Sequence, residues 1–581
     1  MVLHWTGHAF VDAGLAALIA AAKVNSLEAI TSEHLTQACN KLQRILLSEQ
    51  SLGIGVDKSF LSGPMSQLFP NSEFVNPSPW LVNVEGKKKD VRKLSGSSKA
   101  ISAEWQKVLD DGKEGIITAL KEDLQMALRC LQSDGGEEIC FVCGERRSSS
   151  DIVTVRKANM PLLEGIVNFY PAFAYGVRIC GMCALAVRFL PFSVVRTGTT
   201  KRLWFLHTQV MEIATSIAKE YGWTYFEDCI AKNKALDFFG TWETSGDAGT
   251  VLYLLFTLLD RFGSHLRTLY QTPRPTTAYL FSNDNRGGFV QALPVPHELM
   301  VFLAHLQVQS SHAYRRFWHE LLRVQQGLTE KERKNREKFV SGIAQRIFRG
   351  ENILNSCFDH NTPNLQGGWI GHRLYLQEVC GMAKEKLAII ERLGISIAQS
   401  EDAKKRVNQL RSAQWNELYS LLLSFVRQGL LGHEEFYALL PPNGYGSASE
   451  VRDMVLAVIY EWQHAQERGG VFESLEVGST LLPDETLVHI QRIGQGLIGK
   501  LRNLGRWIAR LQTARNPNQI RGAYLNAVQK SAMGFADFVF LAPLDDVQRI
   551  WLLRDYLMAF LFDRGREMLI ERVEEEVVET I

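Results

Sequence analysis

Two short stretches decide what the N-terminal half of this chain can be: Cys140-Phe-Val-Cys143 and Cys180-Gly-Met-Cys183. In each stretch two residues separate the cysteines, which lets both sulfur atoms of one turn face a single metal ion at about 2.3 Å. Two such turns supply four thiolates and complete a tetrahedral shell, so the pattern predicts a zinc site. Because four protein ligands leave no open position, this zinc would be structural and not catalytic.

Chance and redox chemistry account less well for the cysteine pattern. Two chance pairs would require a coincidence among nine cysteines in 581 residues, and a redox C-x-x-C needs only one pair in a thioredoxin-like unit. The 36 residues between the pairs exceed the compact zinc-ribbon spacing, which predicts a structured insertion there. We expect Gly144 and Gly181 to open the two turns without a Cβ clash.

Composition is that of a large globular protein. Hydrophobic residues make up 46% and charged residues 22%, with a net charge of +1, so any surface for a polyanion must come from local segregation of charge. The length predicts three or four structural units. Apolar runs in the sequence are shorter than the roughly 20 residues of a membrane-spanning helix. A secretory signal is not expected either, because the polar residues His4, His8 and Asp12 interrupt the N-terminal stretch. Sparse cysteines with two tight pairs indicate the reducing cytoplasm.

Hydrophobic periodicity predicts an α+β fold, with a mixed N-terminal domain that carries the zinc-finger insertion and an all-α C-terminal helical bundle. We expect an N-terminal α/β part over 1–136, the zinc-finger segment over 137–190, a mostly helical remainder over 191–400, and the bundle over 401–581.

Individual elements follow from the same reasoning. Helices are predicted over 12–22, 32–49, 103–131, 201–220 and 250–270, with Ser32 as the N-cap of the second. A short strand is predicted over 277–281, a polar turn over 282–288, and almost no strand after residue 403.

Positive charge is concentrated between Thr486 and Ala536, where the chain has no Asp or Glu. Three arginines recur there every four residues, which predicts one basic stripe on a helix face. Two more flank the turn Asn516-Pro517-Asn518, in which Asn516 should cap the next helix. A polyanion would relieve the repulsion and release counterions, whereas the alternative is a solvated basic face. The residues assigned to nucleic-acid binding here are Arg502, Arg506, Arg510, Arg515 and Arg521.

Two further segments suit nucleic acid. The predicted basic loop 86–99 should contact phosphates of duplex DNA or RNA without base choice. Its proposed contacts are Lys87, Lys88, Lys89, Arg92 and Lys93. In the predicted turn Ser282–Arg286, Asn283 and Asn285 could pair with base edges and Arg286 with phosphate or guanine. The alternative is a solvent loop.

The chain shows no pattern of a catalytic site, so we expect no enzyme. Neither H-E-x-x-H nor G-x-S-x-G is present. Gly494-Gln-Gly-Leu-Ile-Gly499 spells G-x-G-x-x-G, but no strand precedes it, and Leu501 replaces the Ser or Thr that a Walker A loop needs. The string is better understood as glycines that let helices pack closely.

Several motifs together resemble one known family. They are the opening Thr6-Gly-His-Ala-Phe-Val-Asp-Ala-Gly14, Phe69-Pro-Asn-Ser72, the two cysteine pairs, and Ala278-Tyr-Leu-Phe-Ser-Asn283. With these motifs the chain resembles the CXXC–CXXC large subunit of type I-B CRISPR Cascade complexes. The likeness runs in scattered motifs from the N-terminus to about residue 300, and the cysteine pairs are its specific part.

The resemblance implies a role and not a reaction. Such subunits cap the crRNA 5′-handle end beside the Cascade backbone and handle-binding subunits. They recognise the protospacer-adjacent motif on double-stranded DNA and help to open the duplex into an R-loop. They then recruit a helicase-nuclease or a transposition adaptor, while guide pairing reads the target.

The resemblance also implies a second product. Small subunits of similar complexes are basic helical bundles that line the displaced strand, and some type I-B systems make theirs from an internal start. By this resemblance the C-terminal bundle would be small-subunit-like from about residue 450. An internal start at Met454 would give a product of 128 residues. Three alternatives for the whole chain stay open: another zinc-ribbon nucleic-acid-binding protein, a divergent nuclease, or a scaffold without nucleic acid.

Overall fold

The computed structural model describes residues 3–54, 59–69, 72, 81–84, 86–90, 103–133, 135–155, 177–196, 202–237, 245–284, 287–359, 364–440, 448–468, 472, 485–501, 503–543 and 546–578. The chain divides into two compact units, residues 1–308 with 322–349 and residues 309–321 with 350–581. The fold is α+β, as predicted, and every described element from Trp369 onward is a helix. The division near residue 350 differs from the expected start of the bundle at 401, and the four-part scheme stays a prediction.

The first unit contains helices and all the longer strands. Its helices are α1 (Ala9–Ala22), α2 (Ser32–Leu46), α3 (Glu49–Leu52), α4 (Pro64–Leu68), α5 (Ala103–Gln132), α6 (Gly181–Arg188), α7 (Met211–Ile217), α8 (Thr224–Ala231), α9 (Gly246–Phe262), α10 (Ser264–Gln271), α11 (His297–Gln309) and α13 (Glu330–Phe348). Its strands are β1 (Leu81–Val84), β2 (Lys87–Asp90), β3 (Glu138–Ile139), β4 (Arg146–Arg147), β5 (Ile152–Val155), β6 (Val177–Cys180), β7 (Val195–Arg196), β8 (Leu203–Thr208), β9 (Thr276–Asp284) and β10 (Gly287–Pro294).

The second unit is built from helices with one short hairpin. That hairpin pairs β11 (Phe358–Asp359) with β12 (Asn364–Leu365). The helices are α12 (Ser311–Leu322), α14 (Trp369–Glu378), α15 (Lys384–Gln399), α16 (Ala403–Ser412), α17 (Trp415–Arg427), α18 (His433–Leu439), α19 (Ala448–Glu467), α20 (Glu485–Lys500), α21 (Leu504–Gln512), α22 (Pro517–Gln529), α23 (Phe535–Leu541) and α24 (Val547–Val578).

Helix α1 lies at the centre of the first unit. It is buried on nearly all sides, because its sequence from Phe10 to Ala22 is apolar apart from Asp12. The ring of Phe10 contacts Phe205 and Phe281 of the antiparallel sheet β10–β9–β8–β7, at centroid distances of 5.0 and 5.1 Å. This helix therefore joins the sheet to the cysteine-bearing segment described below.

The predicted helix over 201–220 is wrong in its first half. Residues Leu203–Thr208 form β8, which pairs with β7 and β9 inside the sheet, and Leu203 to Leu206 are all buried. Four consecutive apolar residues fit a strand covered on both faces. The helix begins only at Met211 and continues through a π-helical turn, Ala218–Trp223, into α8.

Other boundaries also differ from the prediction. The N-cap of α2 is Thr31 and not Ser32, because Thr31 and His34 form a capping box. The predicted helix 250–270 is two helices, interrupted at Gly263, whose φ of 50° suits glycine. The predicted turn over 282–288 is mostly strand, since β9 reaches Asp284 and β10 begins at Gly287. Among the described residues, no helix has the length and apolar composition of a membrane span.

Candidate metal centre and nucleic-acid interface

The two cysteine pairs lie in two different turns. Cys140 and Cys143 lie in the turn between β3 and β4, where Gly144 has a φ of 73° and its N–H donates to Cys140 O at 3.0 Å. Cys180 is the last residue of β6. Helix α6 begins at the next residue, Gly181, and Cys183 lies in its first turn. The pairing of β5 with β6 brings the second turn back against the first, since Ile152 lies opposite Cys180.

The four sulfur atoms converge on one point. All four Sγ atoms lie within 4.8 Å of one another. Cys140 Sγ is 3.9 Å from Cys183 Sγ, and Cys143 Sγ is 3.8 Å from Cys180 Sγ. A tetrahedral ion with ligands at about 2.3 Å requires sulfur atoms about 3.8 Å apart, whereas a disulfide requires about 2 Å. The cysteines therefore fit a metal ion and form a candidate metal-binding site.

The hydrogen bonds of the cluster favour a thiolate at Cys140 but not at Cys180 or Cys183, because bonds with Cys130 and Cys140 respectively raise the pKa of those two thiols. The Cys180 N–H donates to Cys140 Sγ at 3.2 Å. Hydrogen bonds with Cys143, Cys180 and Cys183 lower the pKa of the Cys140 thiol far below its usual value. A fifth cysteine, Cys130 of α5, is buried beside the cluster, and its hydrogen bond with Cys180 lowers its pKa to about 7. The sequence pattern did not single out Cys130, because it belongs to no C-x-x-C pair.

Two close helix contacts hold the second turn in place. A Cβ on Gly181 would lie 2.5 Å from Met126 Cβ of α5. Gly181 is therefore needed for close packing against α5, whereas the sequence analysis expected it to open the turn. A Cβ on Gly14 of α1 would lie 2.1 Å from Ala186 O of α6. The glycine that closes the N-terminal motif therefore lets α1 approach the helix that carries Cys183.

Ion pairs join α5 to the cysteine-bearing segment. Arg188 Nε donates to Asp123 Oδ2 at 2.8 Å, and Arg129 Nε donates to Asp151 Oδ1 at 2.7 Å. Arg188 and Asp123 are both nearly buried, with side chains 13% and 12% exposed. These two ion pairs hold the cysteine-bearing segment against α5, so Arg188 has a structural partner within the protein.

The N-terminal motif forms a hydrogen-bonded cluster that the sequence analysis did not assign. Asp12 is 2% exposed, and its carboxylate accepts from the N–H and hydroxyl groups of Thr6 and from the N–H of Gly7. His207 Nε2 of β8 lies 3.0 Å from Asp12 Oδ2. Asp12 therefore ties the opening loop to the sheet, a contact that only the pairing of distant segments creates.

The cysteine segment also carries the likeness to known proteins. Residues 134–195 match the model of the family described as CRISPR-associated protein (Cas_CXXC_CXXC). The match supports a CRISPR-associated protein of this family. No curated protein and no solved structure gives a significant match to the chain. The matched segment holds all four cysteines, so the family likeness and the metal geometry rest on the same residues.

The basic loop predicted over 86–99 is in part a β-hairpin. Lys87, Lys88 and Lys89 lie in β2, which pairs with β1, and Gly86 has a φ of 76° that suits the tight turn between the strands. The strand pairing therefore replaces the first part of the predicted loop. Arg92 and Lys93 lie outside the described residues.

The predicted groove-reading turn lies at the tip of the β9–β10 hairpin. Asn283 is part of β9 and pairs with Gly288, whereas Asn285 and Arg286 lie outside the described residues. The tip is therefore a short hairpin connection and not a seven-residue polar turn. Its residue types remain those predicted for contact with base edges.

The predicted arginine stripe is interrupted. Helix α20 ends at Lys500, and Arg506 and Arg510 lie on a separate helix, α21, which begins at Leu504. Arg502 lies outside the described residues. A continuous helix would turn Trp507 about 120° away from the buried Leu501. The break lets Trp507 enter the core, where its Nε1 donates to Ala523 O at 2.9 Å.

The remaining arginines of this region differ from one another. Arg506, Arg510 and Arg515 are exposed. Arg521 is partly buried and donates to Pro543 O at 3.0 Å, which gives it a structural contact. The predicted cap is confirmed, because Asn516 Oδ1 accepts from Gln519 N at 3.0 Å at the start of α22.

An aromatic residue that the sequence analysis passed over lies in the same region. Phe535, the first residue of α23, is 68% exposed, and its ring centroid is 5.9 Å from that of Phe538. Exposed aromatic rings beside a basic segment suit the stacking of unpaired bases. Its position one residue before the end of the acid-free stretch was a signal available in the sequence.

Proposed function

We propose that the chain is the non-catalytic large subunit of a type I-B CRISPR RNA-guided surveillance complex. The observation that carries the proposal is the four-cysteine centre, whose sulfur atoms lie within 4.8 Å of one another inside the segment that matches a CRISPR-associated family. In this role the chain binds the crRNA 5′-handle end and reads the protospacer-adjacent motif on duplex DNA. It then helps R-loop formation and recruits a helicase-nuclease or a transposition adaptor.

Zinc is the metal that we propose for the centre. Four thiolates are soft ligands, and a closed tetrahedral S₄ shell is typical of structural zinc. Because the shell has no open position, the metal would stabilise the segment that joins α5, α1 and α6 and would take no part in a reaction. Atomic emission spectroscopy of the purified chain should find about one zinc per chain.

Motif reading is proposed for the β9–β10 tip, and phosphate binding for the basic segments. Asn283 and Asn285 would contact base edges and Arg286 a phosphate or guanine. Lysines of β2 with Arg92 and Lys93 would hold the backbone without base choice. Exposed Arg506, Arg510 and Arg515 would line the displaced strand, with Phe535 as a base-stacking surface.

The test is reconstitution. The chain is co-expressed with the proteins encoded beside its gene and with a guide, and the complex is purified through a tag on this chain. We expect crRNA to co-purify and duplexes with the correct motif to bind more tightly than duplexes without it. Replacing Asn283 and Asn285 with Ala should reduce the ratio of the two affinities. Purification of the chain without RNA, from a strain that contains the whole locus, would reject the function.

The internal start is a separate part of the proposal. Met454 is the seventh residue of α19 and is fully buried. A product starting there would lack the first turns of α19. A C-terminal tag should reveal a 128-residue product that disappears in Met454→Leu, and detection of the full-length chain alone would reject it.

A further inference from the structure

The outer strand of the sheet leaves part of its backbone unpaired. Strand β10 lies at the end of the order β10–β9–β8–β7, and within the described part of the chain it pairs only with β9. Val295 N donates to Thr276 O at 2.9 Å, one step beyond the β9–β10 register. Hydrogen-bonded and non-hydrogen-bonded residue pairs alternate along an antiparallel ladder. Because Val295 is in a bonded pair, the other odd-numbered residues of β10 also direct their backbone groups toward β9. The backbone N–H groups that point away from the sheet are those of Gly288, Val290 and Ala292.

This edge is also exposed and uncharged. Val290 is 52% exposed and Phe289 39% exposed, although they point to opposite faces of the sheet. Val290 shares a face with Phe281, which is fully buried against Phe10, so the layer that covers the sheet ends before β10. No charged residue occurs in Gly287–Pro294. Natural proteins protect free edges with charges, prolines, bulges or a covering segment. Of these devices, the described residues give β10 only its final proline, Pro294.

The chemistry of this edge suits a polypeptide and not a nucleic acid. Phosphate binding needs cations that are not already neutralised. Arg202 places its guanidinium over the Phe289 ring, but the same group donates to the Asp247 carboxylate at 2.8 Å, which offsets its charge. Outward N–H and C=O groups recur at every second residue, about 6.8 Å apart. Only another extended backbone presents acceptors and donors at that spacing.

We propose that β10 receives an extended, uncharged segment of another protein subunit as a fifth strand of this sheet. The inference rests on the proposed function, because the partner is a protein of the same complex. Main-chain hydrogen bonds to Gly288, Val290 and Ala292 provide affinity, and apolar side chains of the incoming strand cover Val290.

Val290→Pro tests the strand pairing. Proline at this position removes one outward N–H and leaves the bonds to β9 intact, so the chain should fold with an unchanged melting temperature. Val290→Thr keeps the N–H and serves as the conservative control. Val290→Lys adds a charge to the edge, and its matched control is Val308→Lys, since Val308 is 56% exposed on α11 of the same unit.

The measurement is made on the complex purified through a tag on the full-length chain. We expect Val290→Pro and Val290→Lys to lower its yield at least about tenfold, through a lost hydrogen bond and a blocked approach. Val290→Thr and Val308→Lys should assemble normally. Hydrogen exchange at Gly288, Val290 and Ala292 should be slower in the wild-type complex than in the isolated chain.

The possible outcomes separate this inference from the proposed function. The strand pairing is overturned if the Val290→Pro chain assembles normally and the three amides exchange fast in an RNA-containing complex. The proposed function would then still stand. A wild-type chain that recovers no companion protein overturns both. Dimerisation of the isolated chain that is lost in Val290→Pro overturns the partner and assigns the edge to a second copy.

Discussion

The candidate metal centre and the basic C-terminal helices are the two regions to which sequence motifs assigned a function. They differ in how well the spacing of the motif residues predicted their arrangement in the structure. At the metal centre four cysteines converge within 4.8 Å, and three of them are buried. In the C-terminal region the arginines are divided between two helices and the connections around them, and Arg506 and Arg510 stay exposed. Short motif spacing predicted the first arrangement correctly and the second only in part.

The difference has a physical origin. A thiolate pair separated by two residues has one geometry in which both sulfur atoms reach an ion, so the motif determines its own turn. A basic stripe has no such constraint, because exposed charges tolerate many arrangements and interact weakly in water. The burial of Trp507 outweighs the continuity of the helix that carries the arginines. A pattern of basic residues therefore predicts a preference for polyanions, but it does not predict the surface on which those residues lie.

The largest expected effect is loss of the metal ligands. Cys140→Ser with Cys180→Ser should abolish metal binding and unfold the segment around the two turns, because structural zinc contributes on the order of 10 kcal/mol to folding. Metal content by atomic emission and melting temperature by calorimetry measure this. Cys229→Ser, a change at a buried cysteine outside the cluster, is the control and should keep the metal. Full metal retention in the double variant would disprove the assignment.

A smaller effect is expected at Gly14. Gly14→Ala should destabilise the chain by about 3 kcal/mol or more, because the new Cβ would lie 2.1 Å from Ala186 O of α6. Gly342→Ala is the matched control in another helix of the same unit, where a new Cβ would meet no neighbouring segment within 4 Å. That change should be neutral or slightly stabilising. Equal unfolding free energies for the two variants, measured in urea, would show that α1 does not pack closely on α6.

The break between α20 and α21 is tested at Trp507. Trp507→Phe keeps most of the apolar volume and removes the hydrogen bond from Nε1 to Ala523 O. We expect a loss of about 1–2 kcal/mol in unfolding free energy, measured by denaturant titration. An unchanged stability would show that the buried Trp507 and its hydrogen bond do not hold the break between the two helices.

The smallest effect on stability is expected at the exposed arginines. Arg506→Gln with Arg510→Gln should change the unfolding free energy by less than about 0.5 kcal/mol. The same pair should weaken binding to single strands of any sequence and reduce the salt dependence of that binding by about two ionic contacts. Arg188→Gln is the contrasting control, since it breaks the nearly buried pair with Asp123 and should lower stability more than binding. Unchanged affinity and salt slope in the double variant would remove these arginines from the interface.

Sequence by itself determined the four-cysteine cluster, the α+β class and the helical character of the C-terminal part. These follow from local spacing: two residues between cysteines, and apolar positions recurring with helical period. The cap at Asn516 is equally local, because it satisfies an N–H three residues away.

Only the tertiary structure decided the rest. It turned residues 203–208 into a central strand, set Gly14 against Ala186, and joined Asp12 to His207 across 195 residues of chain. It also separated α20 from α21 and left β10 as the outer strand of the sheet that the described residues form. Each of these depends on which distant segment packs alongside. Burial of apolar surface and pairing of backbone groups between such segments outweigh local propensity, and no local pattern records them.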